Sequence, residues 1–229
     1  MQKSYALFDF DGTLLKGDSI VRFCLYARSR GLCTGLALWR GAWMAARYYC
    51  HTASAEQSKQ AALSFLAGHS KAELDALAAD FCRQKLLPAL YPQGVAALRK
   101  RRAAGAELLL VTASPAFYLE PLKESLGLTQ IIGTRMDVDA RGFYTGLICG
   151  ENCRGVQKPL RLAEYLAATG DRLDYASSYA YGDSGSDEPL LSLCAHKIAV
   201  NPKRKLLRKL RGADGVAVAR WGDGLRAPR

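Results

Sequence analysis

Apolar residues in the chain follow two alternating rhythms: short unbroken runs, and longer stretches in which they recur every three or four positions. The unbroken runs lie near residues 4–9, 107–111, 129–132, 177–182 and 196–200, and runs of this length suit strands covered on both faces. The stretches between them have helical spacing. Strand and helix patterns in alternation predict an α/β fold with a doubly wound, Rossmann-like parallel sheet. One long interval interrupts the alternation. Residues 16–87 are largely helical in spacing, with Leu74, Leu77 and Phe81 on one face, so a small helical cap is predicted there. The sheet-bearing core is then 1–15 and 88–229. Met136 to Gly146, between Arg135 and Leu147, reads as a hairpin.

Candidate chemistry gathers where the runs end. Leu7-Phe8-Asp9-Phe10-Asp11-Gly12 closes the first run with two carboxylates two residues apart and a turn-forming glycine. Carboxyl ends of strands form the ligand crevice of open α/β sheets, which displays Asp9 and Asp11 at a site. Read alone, Asp-Gly after an apolar run is also a hairpin turn. The second run passes into Thr112-Ala113-Ser114-Pro115, with Pro115 suited to a first helical turn. Hydroxyls and free backbone N–H groups there suit phosphate oxygens, and Ser114 is equally suited to a helix N-cap. Gly150-Glu151-Asn152-Cys153-Arg154-Gly155 precedes Lys158, a point charge at the head of an amphipathic stretch. The fourth segment, Gly182-Asp183-Ser184-Gly185-Ser186-Asp187-Glu188, offers the hard oxygen ligands that Mg²⁺ takes. Glu188 reads as a solvated helix residue.

In this order, from Tyr5 to about Pro202, the four segments resemble the haloacid dehalogenase-like (HAD) phosphohydrolase superfamily, specifically its phosphoserine phosphatase-like branch. That resemblance implies Asp9 as a nucleophile that becomes an aspartyl-phosphate, with Asp11 as general acid and base. Thr112, Ser114 and the backbone at Ala113 would hold the phosphoryl group, and Lys158 would neutralise it. Mg²⁺ would be bound by Asp183, Asp9 and the backbone carbonyl of Asp11, with Asp187 acting through water or orienting Lys158. Asp11 argues against carbon–halogen cleavage, because dehalogenases of this superfamily lack the second acid. Asp18 occupies the position at which phosphoserine-specific members carry a Glu for the substrate ammonium. Those members also have a cap Arg, whereas Glu56 to Glu73 offers only Lys59 and Lys71. The segment Gly150 to Gly155 looks more like a set that includes histidinol-phosphate and lipid-phosphate phosphatases. The expected activity is therefore Mg²⁺-dependent hydrolysis of a small soluble phosphomonoester. A lipid-phosphate phosphatase at a membrane surface is one alternative, and a basic binding module without turnover is another.

Composition narrows the partners. Of 229 residues 49% are hydrophobic, enough for two cores, and the net charge of +11 favours phosphorylated substrates. Lys203 to Arg211 is strongly basic, and Leu206, Leu207 and Leu210 predict a final helix docked on the sheet with its charges in water. No basic stripe interleaved with aromatics supports a specific nucleic-acid partner, and no obligate protein partner is evident. A helix over 31–49 would put Leu36, Trp39 and Trp43 on one face beside Arg40 and Arg47. It is too short to span a bilayer. It either contacts a membrane surface weakly or packs on the core, and the expected arrangement has the tryptophans inward and the arginine heads at the rim. Seven cysteines without a CxxC pair imply reduced thiols, His51, His69 and His196 stand isolated, and the missing signal-peptide pattern predicts a cytoplasmic location. The tail from Gly212 to Arg229 is expected to be partly loose.

Overall fold

The protein is described from a computed structural model that covers residues 1–50 and 52–222. After the short strand β1 (Gln2–Lys3), β2 (Tyr5–Phe8) is buried at every position. An insertion of four helices follows: α1 (Ser19–Ser29), α2 (Gly35–Tyr49), α3 (Ala55–Leu63) and α4 (Lys71–Phe81). The chain then runs through α5 (Pro92–Ala103), β3 (Glu107–Pro115), α6 (Leu122–Leu126), β4 (Gln130–Thr134) and the hairpin β5 (Met136–Val138) with β6 (Tyr144–Ile148). It ends with α7 (Gln157–Thr169), β7 (Arg172–Leu173), β8 (Tyr179–Gly182), α8 (Glu188–Leu191), β9 (His196–Val200), α9 (Arg204–Lys209) and β10 (Val216–Ala219).

Six parallel strands form the main sheet in the order β10-β9-β8-β2-β3-β4. The winding reverses direction at β2, so the carboxyl ends of β8, β2 and β3 meet at the switch point where such sheets hold ligands. Side chains alternate across the sheet. Ala6, Phe8, Leu108 and Leu110 belong to one core, and Tyr5, Leu7, Leu109 and Val111 to the other. Burying each of these larger apolar side chains contributes about 1.5–3 kcal/mol.

The inserted helices leave and rejoin the core side by side: Lys16 N–H donates to Ala89 O at 3.2 Å and Tyr91 N–H to Leu14 O at 2.8 Å. Asp18, Ser54 and Ser70 cap α1, α3 and α4, each accepting a first-turn backbone N–H. Phe23 of α1 anchors the insertion, its ring lying 4.9–6.1 Å, centroid to centroid, from Phe65, Phe81, Phe117 and Tyr118. The hairpin is stitched to the insertion by reciprocal bonds, Gly68 N–H to Tyr144 O and Tyr144 N–H to His69 O, both 2.9 Å.

Several expectations need correction. Trp39 and Trp43 do not face inward: they are 63% and 56% exposed and stack on each other, with Leu36 also exposed. The reason is Gly41. A Cβ there would lie 3.1 Å from Ala62 Cα, so α2 packs on α3 through its smallest residue and turns the tryptophan face outward. Pro115 does not begin a helix but ends β3, where it pairs with Thr134 beyond a bulge. Leu207 is 40% exposed while Leu206 and Leu210 are buried, because a helix of six residues covers the sheet with less than two turns. Within the tail expected to be partly loose, Val216–Ala219 form β10, which adds to β9. His51 and residues 223–229 lie outside the described residues.

Candidate active site

Asp9 leaves β2 with its N–H donating to Tyr181 O of β8 at 3.0 Å, which places its carboxylate on the crevice. One oxygen accepts from Lys158 Nζ at 2.6 Å and the other from Thr13 Oγ1 at 3.2 Å. Lys158, in the first turn of α7 and 1% exposed, also donates to Asp187 Oδ1 at 2.6 Å. The other oxygen of Asp187 accepts from Ser184 N–H at 2.9 Å and Ser184 Oγ at 2.8 Å, which fixes the turn after β8. Asp183, at the carboxyl end of β8, pairs with Lys203 Nζ at 2.6 Å. Gly12 (φ +81°) is required at this point, because a Cβ would come within 2.5 Å of Asp183 Oδ2.

Electrostatics follow from this crowding. Burial and the neighbouring Asp187 carboxylate push Asp9 above the usual carboxylate range, with Lys158 opposing. Burial works against the charge of Lys158 too, yet Asp187 and Asp9 together hold its ammonium above the ordinary value. Asp187 moves the other way: Lys158 and Ser184 outweigh its burial and hold it low.

Asp11 has different surroundings. Ser19 at the start of α1 donates its backbone N–H at 2.6 Å and its hydroxyl at 3.0 Å, and the Ser114 hydroxyl donates as well. Burial and the charge of Asp18 push Asp11 up to about 6, with the serine hydrogen bonds pulling the other way. A carboxyl group pushed this far above its ordinary range, next to but outside the main carboxylate cluster, suits proton transfer. Ser114 is therefore not a helix cap, and its hydroxyl also lies 2.9 Å from Ser19 Oγ. Thr112 is buried, with its Oγ1 accepting from Ser114 N–H at 3.0 Å. Asp18 is exposed and caps α1, so its carboxylate is on the insertion side of Asp11.

The structure therefore brings Asp9, Asp11, Thr112, Ala113, Ser114, Lys158, Asp183 and Asp187 together, and leaves Asp18 at the margin. It adds Thr13, Ser19, Tyr118 and Thr134, which the sequence did not mark, and brings in Lys59, Asn152 and Lys203, which the sequence marked in other connections. Tyr118 OH lies 2.9 Å from Ser19 Oγ. Thr13 and Ser19 are close enough in sequence to the first motif to have been inspected. Nothing local marked Tyr118 or Thr134.

Carboxylate oxygens of Asp9, Asp183 and Asp187 lie within 4.8 Å of one another, all three residues buried. Three buried acids served by Lys158 and the mostly exposed Lys203 make a hard, electron-rich oxygen set, and such a set fits Mg²⁺.

Known proteins share this architecture. The profile of the haloacid dehalogenase-like hydrolases matches residues 6–192. A histidinol-phosphatase of Neisseria meningitidis is 31% identical over 209 residues, covering 89% of this chain and 93% of its own. The crystal structure of a Bordetella pertussis protein of unknown function superimposes with a TM-score of 0.84 at 32% identity, covering 96% of this chain and 99% of that one. A phosphoserine phosphatase captured as a phospho-aspartyl intermediate analogue shares the fold, with a TM-score of 0.66 at 19% identity over 96% and 94% of the two chains. The match across most of the chain, on a sheet whose strand ends carry the clustered acids, makes this protein a member of the haloacid dehalogenase-like hydrolase family.

Proposed function

We propose that this hydrolase cleaves small, soluble phosphomonoesters of the histidinol-phosphate or phosphoserine type, through an aspartyl-phosphate on Asp9 and with Mg²⁺ as cofactor. The observation that carries the reading is Lys158, buried and bonded at 2.6 Å to both Asp9 and Asp187. A cation held this firmly between two acids serves a reaction in which negative charge must be brought onto a carboxylate. Asp9 attacks phosphorus, and the phosphoryl oxygens rest against Thr112, Ser114 and the backbone at Ala113. Lys158 offsets their charge. Asp11 gives its proton to the departing alkoxide oxygen and then takes one from the water that hydrolyses the acyl phosphate. Mg²⁺, held by Asp9, Asp183 and the backbone of Asp11, would supply charge neutralisation and in-line alignment, with Asp187 fixing Lys158.

Segment 16–87 serves in this reading as the cap that closes the site and selects the ester, with Asp18 at its inner margin. Turnover of a panel of phosphoserine, histidinol phosphate and sugar phosphates, with Mg²⁺ and with excess EDTA, tests the proposal. The reading requires at least one ester to turn over and chelation to stop it.

The exposed Trp39–Trp43 pair favours a second reading, a phosphatase acting on a lipid phosphate at an anionic membrane surface. Five arginines and no acid lie between Ser19 and Ala55, so this stretch carries only positive charge along with the aromatics. Among the described residues no helix is long and apolar enough to cross a membrane. Co-sedimentation with vesicles containing phosphatidylglycerol separates the readings. Binding that survives moderate salt, with faster turnover of a lipid phosphate than of any soluble ester, would replace the first reading by the second.

A further inference from the structure

Lys59 is a lysine of the insertion that ends inside the core. It lies on α3 and is 7% exposed, and its Nζ donates to three oxygens: the carbonyl of Ala113, Thr134 Oγ1 at 3.2 Å and Asn152 Oδ1 at 2.5 Å. These acceptors belong to three separate core segments, the end of β3, the end of β4 and the loop before α7. All are neutral. Burial accordingly pulls the ammonium down to about 8, and Asp11 is the first of the groups that oppose this. A lysine kept in such a place without a carboxylate partner is costly, and a hydrophobic residue would fill the volume more cheaply.

An ammonium has three donors, and all three are committed to the protein. Lys59 therefore has none left for a substrate and acts through what it holds. Its partner of consequence is the Ala113–Ser114 peptide. The carbonyl side of that peptide is gripped by Lys59 Nζ and lies 2.6 Å from Thr134 Oγ1, while the amide side donates to Thr112 Oγ1 at 3.0 Å. Turning this peptide over would reverse both sets of bonds and displace the groups that hold the phosphoryl oxygens. Gly133 lets β4 come this close, since a Cβ there would lie 2.8 Å from Ser114 O.

We propose that Lys59 is a positioning residue through which the insertion sets the irregular, phosphate-binding end of β3, so that seating of α3 and the phosphate-accepting shape of Thr112–Ser114 are one event. The proposal rests on the phosphatase reading for its setting, but it can be tested without turnover. Because Lys59 shapes the cradle and does not touch the ester's leaving group, its loss weakens every phosphate ligand alike.

Lys59→Met and Thr134→Val, singly and together, are compared with wild type in Mg²⁺ by calorimetric titration of inorganic phosphate. Where an ester turns over, kcat and KM are also measured for p-nitrophenyl phosphate and for a larger phosphomonoester. For Lys59→Met the expected result is a rise of about tenfold in the Kd of phosphate and in both KM values, with kcat changed less than threefold. Thr134→Val is expected to raise the same constants about threefold, and the double variant to be no worse than Lys59→Met, since both grip one carbonyl. Unchanged phosphate affinity in a folded Lys59→Met protein would overturn the proposal, as would a KM increase confined to one ester. Should Lys59→Met fail to fold, Thr134→Val decides alone, and unchanged phosphate affinity there rejects the idea. Absence of turnover with normal phosphate binding in wild type would count against the phosphatase reading and leave this test standing.

Discussion

Replacing Lys158 by Met isolates the electrostatic arrangement from the chemistry. The substitution keeps an unbranched four-atom stem and removes the ammonium of a residue that is 1% exposed and whose Nζ lies 2.6 Å from both Asp9 and Asp187. Removing one partner of a buried ion pair costs about 3–5 kcal/mol, because the other charge remains buried and unpaired. Two acids are stranded here, so the upper part of that range is expected at pH 8 in EDTA. In a domain of this size a loss of about 4–5 kcal/mol corresponds to a fall in Tm of roughly 8–20 °C.

The sign of the pH dependence follows from the shifts. In wild type, Asp187 is held below its ordinary value, so its contribution to stability is present above about pH 4 and is lost as pH falls through its lowered folded value. Asp9 is raised already in wild type and lowers the stability of both proteins as pH rises above about 4, so the difference comes from Asp187, which burial raises once Lys158 is gone and which then penalises the variant as pH rises. The stability gap between wild type and variant must therefore widen from pH 5 to pH 8. Thermal or urea unfolding at the two pH values measures it. A gap below about 1 kcal/mol at pH 8, or an equal gap at both pH values, would refute the claim that Lys158 is the principal counter-charge of the cluster.

Asp11→Asn is expected to lower kcat by 10²–10⁴-fold, roughly the size of a general acid–base contribution, while Mg²⁺ affinity measured by calorimetry changes less than threefold, because the Asp11 carboxylate is engaged by Ser19 and Ser114. Lys203→Met should tighten Mg²⁺ binding by up to about fivefold, the equivalent of the 1 kcal/mol that a partly exposed ion pair reaches, because Lys203 competes for Asp183 Oδ2 at 2.6 Å. Weaker Mg²⁺ binding in that variant would mean that Lys203 supports the site instead.

Much of the site was legible because its members sit at strand ends, where short-range pattern carries long-range meaning. The apolar runs ending at Asp9, Thr112 and Asp183 are local signals, and the parallel sheet joins them. Lys158 was readable only through the company it keeps, since a lysine at a helix start is ordinarily solvated. Lys59 was not readable in this role. The segment Ala55–Leu63 looks like any capped surface helix, and only the docking of α3 onto the ends of β3 and β4 buries the ammonium. The tryptophans of α2 failed for a related reason: hydrophobicity suggested a face for packing, while the steric opportunity lay at Gly41 on the other side. Strand β10 escaped because Val216–Ala219 is a short edge strand among charged and glycine residues, whose pairing with β9 is set by tertiary contact.

The central claim is that Asp9 carries the phosphoryl group, and trapping that group is the direct test. Wild-type protein would be mixed with an ³²P-labelled ester that it turns over, in Mg²⁺, quenched in acid within the first turnover, digested and mapped. The account predicts hydroxylamine-sensitive label on the peptide containing Asp9, and none in Asp9→Asn, which should also have lost turnover. Label on another residue, or an Asp9→Asn protein that keeps more than a few per cent of the wild-type rate, would contradict it.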